Sequence, residues 1–234
     1  MATITSPLPP FKQAFLSTIL RAKILTFGSY TLKSGRISPY FFNAGLFSTA
    51  SLLTCLADAY ANTIHSHPTL GDNFNLLFGP AYKGIPLATI TATQLFLLDG
   101  PKYGDVGYAF NRKEKKDHGE GGSIVGMDLR GKKVLIVDDV ITAGTAIREA
   151  VGIINAAGGE LAGIVVALDR QERKVVGEGE TDSGMSAIQE VRREFGVEVL
   201  AILTLADLIV GVESEGDRKA MKGYRAKYGA VEET

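Results

Sequence analysis

The feature that most restricts the fold of this chain is an alternation of short apolar runs with helical segments between residues 76 and 203. Apolar runs of this length, separated by helical segments, are typical of a parallel sheet whose two faces are both covered by helices. The runs lie at residues 76–78, 106–110, 134–137, 164–168 and 197–203, and the clearest helical segments lie at about residues 84–96 and 145–157. We therefore predict an α/β fold with a mostly parallel central sheet flanked by helices. Ligands of such sheets bind beyond the carboxyl ends of the strands, so the residues after each run are the first candidates for a site.

The chain before these runs has the pattern of two amphipathic helices. Apolar residues recur at helical spacing from Phe11 until Gly28 and again over residues 48–64, with a short strand-like piece at residues 30–33 between them. A length of 234 residues suits one domain with embellishments. We therefore predict a single domain over residues 1–234.

Composition narrows the range of partners. The 25 basic and 26 acidic side chains nearly balance, so neither nucleic acid nor a membrane surface is expected as a partner. The single cysteine, Cys55, excludes an internal disulfide and a multi-cysteine metal site. No apolar run approaches the ~18 residues that span a bilayer, and the first residues lack the pattern of a secretory signal. Together these observations favour a cytoplasmic protein.

Two acidic residues stand directly after the apolar run at residues 134–137, and a glycine turn follows them. Adjacent carboxylates such as Asp138 and Asp139 repel each other unless they bind hydroxyl groups or a cation, and the diol of a sugar supplies two hydroxyls. Gly144 permits a tight turn at a helix N-terminus, where backbone N–H groups and the hydroxyls of Thr142 and Thr145 form a cradle for an anion. A diol beside a phosphate describes a ribose 5-phosphate.

The simplest alternative for this run is a strand that ends in a helix cap, because Asp and Thr are common there. A Walker loop is excluded because the chain has no GxxxxGK[ST], and a dinucleotide site is disfavoured because no GxGxxG follows the first strand. The whole run over residues 134–145, VLIVDDVITAGT, is more specific than its parts. It resembles the phosphoribosyl pyrophosphate motif of type I phosphoribosyltransferases, so we expect that compound as the sugar donor.

A cluster of basic residues follows the apolar run at residues 106–110. Five basic side chains fall within seven residues, with glycines after them: Arg112, Lys113, Lys115, Lys116 and His118. Most such charge runs are solvated surface loops. This one follows a strand at the ligand-binding edge, and the pyrophosphate of the donor is a polyanion that needs neutralising. We therefore predict a mobile basic lid over about residues 112–126 that closes over the donor and stabilises charge on its leaving group.

Further segments narrow the resemblance to the orotate phosphoribosyltransferases. They are YTLKSGRISPYFFN at residues 30–43, FGPAYKGIP at 78–86, FNRKEKKDHGEGG at 110–122, LDRQER at 168–173 and SAIQE at 186–190. The resemblance implies a type I phosphoribosyltransferase fold with a small N-terminal hood formed by about residues 1–45. It implies formation of orotidine 5'-phosphate and pyrophosphate from orotate and phosphoribosyl pyrophosphate, with Mg²⁺, in pyrimidine biosynthesis. It also implies a homodimer in which each lid acts on the site of the neighbouring subunit.

The same resemblance implies roles for individual residues. The residues expected to bind the donor are Lys33, Tyr82, Lys83, Arg112, Lys113, Lys116, His118, Asp138, Asp139, Val140, Ile141, Thr142, Ala143, Gly144, Thr145 and Ala146. Those expected to act in catalysis are Lys113, Lys116, His118, Asp138 and Asp139, and those expected to bind orotate are Phe41, Phe42, Thr142 and Arg170. An arginine fork matches the carboxylate of orotate in a planar, bidentate way, and a flat pyrimidine can lie against an aromatic face. No protein ligand for a metal is assigned, because Mg²⁺ suits a site of phosphate oxygens and water.

One stretch departs from the family pattern, and three other functions compete. Residues 171–184 are polar and glycine-rich, and we predict a surface insertion there, either a hairpin or a disordered loop. A phosphoribosyltransferase for a purine or uracil would not need Arg170. A donor-sensing regulator that binds nucleic acid would need a basic face or a helix-turn-helix segment, and the charge balance shows neither. A bifunctional enzyme with orotidylate decarboxylase is disfavoured, because only about thirty residues follow Leu203, too few for a second barrel domain.

Overall fold

The computed structural model describes residues 8–116, 122–175 and 183–231. Its strands are β1 (Leu25–Thr31), β2 (Ile37–Phe42), β3 (Leu76–Gly79), β4 (Gly107–Lys116), β5 (Gly122–Gly126), β6 (Lys133–Asp138), β7 (Glu160–Asp169) and β8 (Glu198–Thr204). Its helices are α1 (Pro10–Arg21), α2 (Ala50–His65), α3 (Gly84–Leu98), α4 (Gly100–Tyr103), α5 (Thr145–Ala156), α6 (Ala187–Phe195), α7 (Leu205–Gly211) and α8 (Glu215–Tyr228). Within this part of the chain, no helix is long and apolar enough to cross a bilayer.

Six strands form the central sheet in the order β5-β4-β3-β6-β7-β8. The five strands from β4 to β8 in that order run parallel, and only the edge strand β5 is antiparallel. The middle of β6 is fully buried, with Val134, Leu135, Ile136 and Val137 at 0% exposure. Such continuous burial is expected of a parallel strand covered on both faces, so the predicted fold class is confirmed.

Alternate side chains of the strands point into two separate cores. Leu135 and Val137 belong to the core that is completed by α1, α2, α3, α7 and α8. Val134 and Ile136 belong to the other core, which α5 and α6 complete. Because β3, β6 and β7 are neighbours and run parallel, the loops after them meet at one edge of the sheet.

A second, two-stranded sheet, β1 with β2, stands apart from the central one. It follows α1, and its strand β2 packs against α8 at the other end of the described chain. Sequence periodicity predicted helix until Gly28, but α1 ends at Arg21 and β1 begins at Leu25. Lys23, with φ 56°, lies in the left-handed region, and this turn redirects the chain from helix to strand.

The predicted lid is more regular than expected. Residues 112–116 of the predicted lid continue β4, and residues 122–126 form β5, which pairs with β4 in an antiparallel hairpin. Backbone hydrogen bonds form this ladder, so it does not need the apolar period that the segment lacks. Residues 117–121, including His118, lie outside the described residues, and so does the side chain of Lys116.

The start of the predicted insertion is also better packed than a surface loop. Glu172 bridges to Gly229 and Arg173 bridges to Ser186, so residues 171–174 are half-buried. These pairings join segments far apart in sequence, which local composition does not reveal. Residues 176–182 of this stretch lie outside the described residues. The helices after Leu203, α7 and α8, were not predicted.

Candidate active site

A cleft of about 890 Å³ opens at the carboxyl ends of β6 and β7. Five parts of the chain surround it: the β1–β2 sheet with the turn that joins its strands and the two residues after it, Lys83 before α3, the loop after β6, residues 168–175 at and after the end of β7, and residues 186–188 at the start of α6. The predicted site residues that line it are Lys33, Phe41, Phe42, Lys83, Asp139, Val140, Ile141, Thr142, Ala143 and Arg170. The structure thus brings together residues that are up to 137 positions apart, as the rule for parallel sheets predicts.

The acidic pair at the end of β6 is held by backbone hydrogen bonds. The N–H of Asp139 donates to Asp138 Oδ1 at 2.9 Å, and the N–H of Val140 donates to Asp139 Oδ1 at 2.8 Å. Tyr60 on α2 also holds the end of β6, because its hydroxyl donates to the backbone oxygen of Asp138 at 2.8 Å. The two carboxylates are therefore pre-oriented before any ligand binds.

Burial raises the pKa of Asp138 to about 6, from an ordinary value of 3.8. The N–H of Asp139 lowers this pKa, the charge of Asp139 raises it, and the ammonium of Lys83 lowers it again. Asp138 is half-buried and does not line the cleft, and the loss of water around its carboxyl group is the largest cause of the raised pKa. Near neutral pH the charged form of Asp138 is therefore present at an energetic cost.

The loop after β3 carries a cation to this acidic pair. Lys83 Nζ lies 2.7 Å from Asp139 Oδ2, and the hydrogen bond to Asp139 raises the pKa of Lys83. The lysine side chain is 69% exposed, so the pair is accessible to an anionic ligand. Tyr82 is 70% exposed and does not line the cleft, and the peptide bond between Ala81 and Tyr82 is cis.

Asn111 anchors this loop, and sequence reasoning missed it. Its side chain on β4 is 5% exposed, and its Oδ1 accepts the N–H of Ala81 at 2.9 Å. A buried amide needs such a partner. The only signal in the sequence was a polar residue placed between an apolar run and the basic cluster.

The turn after the acidic pair contains a glycine in the left-handed region. Gly144 has φ 76° and stands at the N-cap of α5. Within the described residues, no hydrogen bond from the N–H of Thr142, Ala143 or Gly144 to a protein acceptor is found. Free N–H groups at a helix N-terminus form an anion site, because the helix dipole adds positive potential there.

Arg148, which the sequence reasoning also missed, supports this turn from α5. Its Nη1 donates to the backbone oxygen of Ala143 at 3.1 Å, while its Nε donates to Glu194 Oε2 at 2.8 Å. The carbonyl of Ala143 is thereby engaged on the protein side of the turn. Arg148 stands three residues after the predicted motif, where helical spacing returns its side chain to the turn.

The acceptor end of the cleft combines aromatic faces with an arginine. Phe41 is 41% exposed, and its ring centroid lies 5.5 Å from that of Tyr30. The guanidinium of Arg170 stacks over the ring of Tyr40 at 4.7 Å. Its Nε lies 2.7 Å from Glu172 Oε1, so a carboxylate already occupies part of the arginine fork.

Arg112 and Lys113, the basic residues of β4 whose side chains are described, lie outside the cleft lining. Lys113 Nζ lies 3.9 Å from Glu149 Oε2 on α5, so Lys113 reaches across to the helix that follows the glycine turn. Arg112 is half-buried, and neither residue lines the cleft. Among the described residues, no group of three or more histidine, cysteine or acidic side chains could hold a metal ion.

The comparisons with known proteins agree with this geometry. Residues 50–201 match the family model described as the phosphoribosyl transferase domain, and this span contains the central sheet up to the first half of β8, the acidic pair and the glycine turn. The fold and the site therefore define a phosphoribosyltransferase.

The relatives identify the branch of that class. The chain is 52% identical to an orotate phosphoribosyltransferase of Neurospora crassa over 96% of this chain and 99% of the relative. It is 54% identical to that of Stenotrophomonas maltophilia over 93% of this chain and 96% of the relative. A crystal structure of the Francisella tularensis enzyme has a TM-score of 0.79 and 42% identity, and the match covers 92% of this chain and 99% of that one. The chain belongs to the orotate phosphoribosyltransferase family.

The predictions of family and activity, which is phosphoribosyl transfer to orotate in pyrimidine biosynthesis, are thereby confirmed. The roles of the individual site residues stay predictions.

Proposed function

We propose that this chain forms orotidine 5'-phosphate and pyrophosphate in the 890 Å³ cleft, with the donor at residues 138–146 and orotate between Phe41 and Arg170. One observation carries this proposal. Asp139 and residues 140–143 of the loop after β6 line the same cleft as Phe41, Phe42 and Arg170, although these residues come from distant parts of the chain. A sugar phosphate and a flat carboxylate-bearing base would then be held side by side.

On the donor side, the ribose hydroxyls would donate to the carboxylates of Asp138 and Asp139. The 5-phosphate would accept from the free N–H groups of Thr142, Ala143 and Gly144 and from the hydroxyl of Thr145, at the N-terminus of α5. Val140, Ile141 and Ala146 complete this donor loop through their backbone. The same carboxylates would stabilise the positive charge that develops at the ribose ring as its bond to pyrophosphate stretches.

On the leaving-group side, the ammonium of Lys83 is the cation already at hand. Its salt bridge to Asp139 is exposed, and pyrophosphate oxygens would compete for the same Nζ. We propose that Tyr82 and Arg112 bind the pyrophosphate as well, and that Lys113, Lys116 and His118 stabilise its growing charge when the lid closes. Lys33, which lines the cleft from the β1–β2 turn, completes the cationic surroundings of the donor.

At the acceptor end, orotate would lie against Phe41 and Phe42, with Thr142 touching its ring. Its carboxylate would meet the guanidinium of Arg170, which lines the cleft and is 15% exposed. Charge-assisted hydrogen bonds to a largely desolvated arginine are strong and directional. Arginine recognition of the carboxylate is what would separate orotate from uracil.

Mg²⁺ is proposed as the cofactor, carried by the phosphate oxygens of the donor. The described residues offer two adjacent carboxylates and no larger acidic group, which fits an ion that keeps water and substrate oxygens as its ligands. When bound, the ion would neutralise part of the pyrophosphate charge. No protein ligand is assigned to it.

We further propose a homodimer in which each lid serves the neighbouring subunit. Three consecutive apolar residues at the end of α3 support a dimer, because Phe96, Leu97 and Leu98 are 55%, 69% and 38% exposed. Contiguous exposed apolar side chains mark interaction surfaces. The cytoplasm is the proposed compartment, and one free cysteine requires no oxidising environment.

The deciding experiment follows the loss of orotate absorbance with purified protein, phosphoribosyl pyrophosphate and Mg²⁺. We expect turnover of orotate and none of hypoxanthine, adenine or uracil. Turnover of a purine base without turnover of orotate would contradict the proposal.

Hybrid dimers test the shared lid. Lys116→Ala is expected to reduce turnover by about 10²-fold or more without loss of stability, because it removes transition-state stabilisation and no core contact. Mixing Lys116→Ala with Asp139→Asn subunits should restore part of the activity, because one of the two sites in each hybrid then has both residues intact. If the hybrids stay inactive, each lid serves its own subunit.

A further inference from the structure

A carboxylate stands between two arginines at the acceptor end of the cleft. Glu172 Oε1 lies 2.7 Å from Nε and 2.6 Å from Nη2 of Arg170, and its Oε2 lies 3.7 Å from Nη1 of Arg36. The side chains of Glu172, Arg170 and Arg36 are 14%, 15% and 14% exposed. We call these three residues the acceptor cluster. All three line the cleft.

Rigid neighbours hold each member of the acceptor cluster. The guanidinium of Arg170 lies over the ring of Tyr40, and that of Arg36 lies over the ring of Tyr228 at 5.0 Å. The backbone around Glu172 is fixed as well, because Glu172 bridges to Gly229 just after α8. The acceptor cluster therefore joins the β1–β2 sheet, the segment after β7 and the C-terminal helix at one point.

The charges of the acceptor cluster fit a ligand with one negative group. Two guanidiniums and one carboxylate give a net charge of +1, and a desolvated arginine without a counter-ion would be unfavourable. Glu172 occupies only the Nε–Nη2 edge of Arg170, and Ser38 Oγ accepts from the same Nη2 at 3.1 Å. The hydrogen bonds of Arg170 found among the described residues leave from Nε and Nη2, and the hydroxyl of Tyr224 on α8 lies near both Arg170 and Glu172.

We propose that Glu172 is a positioning residue for the acceptor. It holds one edge of Arg170 in place, leaves Nη1 available to the carboxylate of orotate, and cancels one of the two positive charges of the acceptor cluster. This inference rests on the proposed contact between Arg170 and orotate. Glu172 itself touches neither substrate, and it acts through the orientation of Arg170.

Steady-state kinetics of substituted enzymes test the inference. Glu172→Ala should raise the KM for orotate about ten-fold or more, while the KM for phosphoribosyl pyrophosphate stays within about two-fold, because the lost interaction lies on the acceptor side alone. Glu172→Gln keeps an oxygen acceptor for Nε and should fall between the wild type and Glu172→Ala. Because Glu172→Gln is isosteric, it also keeps the test valid if Glu172→Ala fails to fold.

A double substitution distinguishes positioning from direct binding. On the background of Arg170→Ala, the further change Glu172→Ala should alter the KM for orotate by less than about two-fold, because Glu172 no longer has an arginine to orient. Additive effects of the two substitutions would overturn the inference.

Asp207→Asn is the matched control. Asp207 has a similar exposure of 18% and pairs with Lys12 at 2.9 Å, away from the cleft. It should lower thermal stability without changing either KM. If Glu172→Ala behaves like this control, the role of Glu172 is structural and the inference fails while the proposed function stands. If Arg170→Ala leaves the KM for orotate unchanged, the proposed acceptor contact itself fails.

Discussion

At the scale of single residues, function and stability conflict most clearly at Asp138. Its carboxylate is screened from water and stands next to Asp139, and burial raises its pKa to about 6. Folding thus shifts Asp138 towards its protonated form relative to the unfolded chain, whereas the proposed contact with ribose hydroxyls needs the charged form as acceptor. Functional sites often keep such unfavourable charges because the ligand relieves them.

The first prediction concerns Asp138→Asn. A folded-state pKa above the ordinary value contributes stability at low pH that is lost as the pH rises from 3.8 through about 6. An asparagine does not ionise, so it does not lose this stability as the pH rises, and it keeps an oxygen that can accept the N–H of residue 139. The variant should therefore be more stable than the wild type at pH 8, by of the order of 2 kcal/mol, and should lose that advantage towards pH 4.

Urea denaturation of the unliganded protein at pH 8 and pH 4 measures this difference. Asp105→Asn, a change at an exposed aspartate, is the control and should show no such dependence on pH. A stability gain of equal size at both pH values would contradict the assigned cause. Turnover of orotate by Asp138→Asn should fall at every pH.

At the scale of elements, the chain makes its site by turning strands sharply into helices. Gly144 has φ 76°, and a Cβ there would lie 2.8 Å from Arg148 Nη1. The second prediction is that Gly144→Ala raises the KM for phosphoribosyl pyrophosphate about ten-fold or more, because the free N–H groups move out of place.

Gly131→Ala is the control that separates the effect of backbone strain on stability from an effect on donor binding. Gly131 has a similar φ of 68° and open space around its Cβ position. It should lower stability by about 1 kcal/mol without changing the KM for the donor. Equal kinetic effects of the two substitutions would show that the turn after the acidic pair has no special role.

The third prediction concerns the junction of β3 with α3. A Cβ on Gly84 would lie 2.5 Å from Pro80 Cδ and 3.0 Å from the backbone oxygen of Val137, so the helix could not pack this closely against the sheet. Gly84→Ala should lower the free energy of unfolding by more than about 2 kcal/mol. Gly152→Ala on α5, where nothing lies within 4 Å of the Cβ position, should raise it slightly. Chemical denaturation of both variants checks this, and similar values for the two would contradict the packing argument.

At the scale of the whole molecule, the proposed dimer would make activity depend on the exposed end of α3. The fourth prediction is that Leu97→Glu produces monomers and strongly reduces turnover, because a lid that acts on the neighbouring subunit needs the dimer. Sedimentation velocity and the orotate assay measure the two effects. Val210→Glu changes another exposed aliphatic residue, 39% exposed at the end of α7, and should leave the dimer intact. A dimeric, active Leu97→Glu protein would place the interface elsewhere.

The sequence by itself determined the fold class, the family and the position of the glycine turn after the acidic pair. Buried parallel strands need continuous apolar runs, and a phosphate turn needs a glycine at a fixed distance from its acidic pair, so both leave a local record in the chain. The whole run at residues 134–145 could therefore be read without tertiary information, and β6, Gly144 and α5 stand where it predicts.

Only the tertiary structure decided which distant side chains support the site. Asn111, Arg148 and Glu172 act through partners on other elements, and no local pattern records the distance between Glu172 and Arg36. Only the structure shows that the first residues of the predicted insertion are packed, because residues 171–174 pair with the chain around Gly229 and Ser186. Side-chain and backbone hydrogen bonds between segments depend on how the cores pack, and that packing is a property of the whole chain.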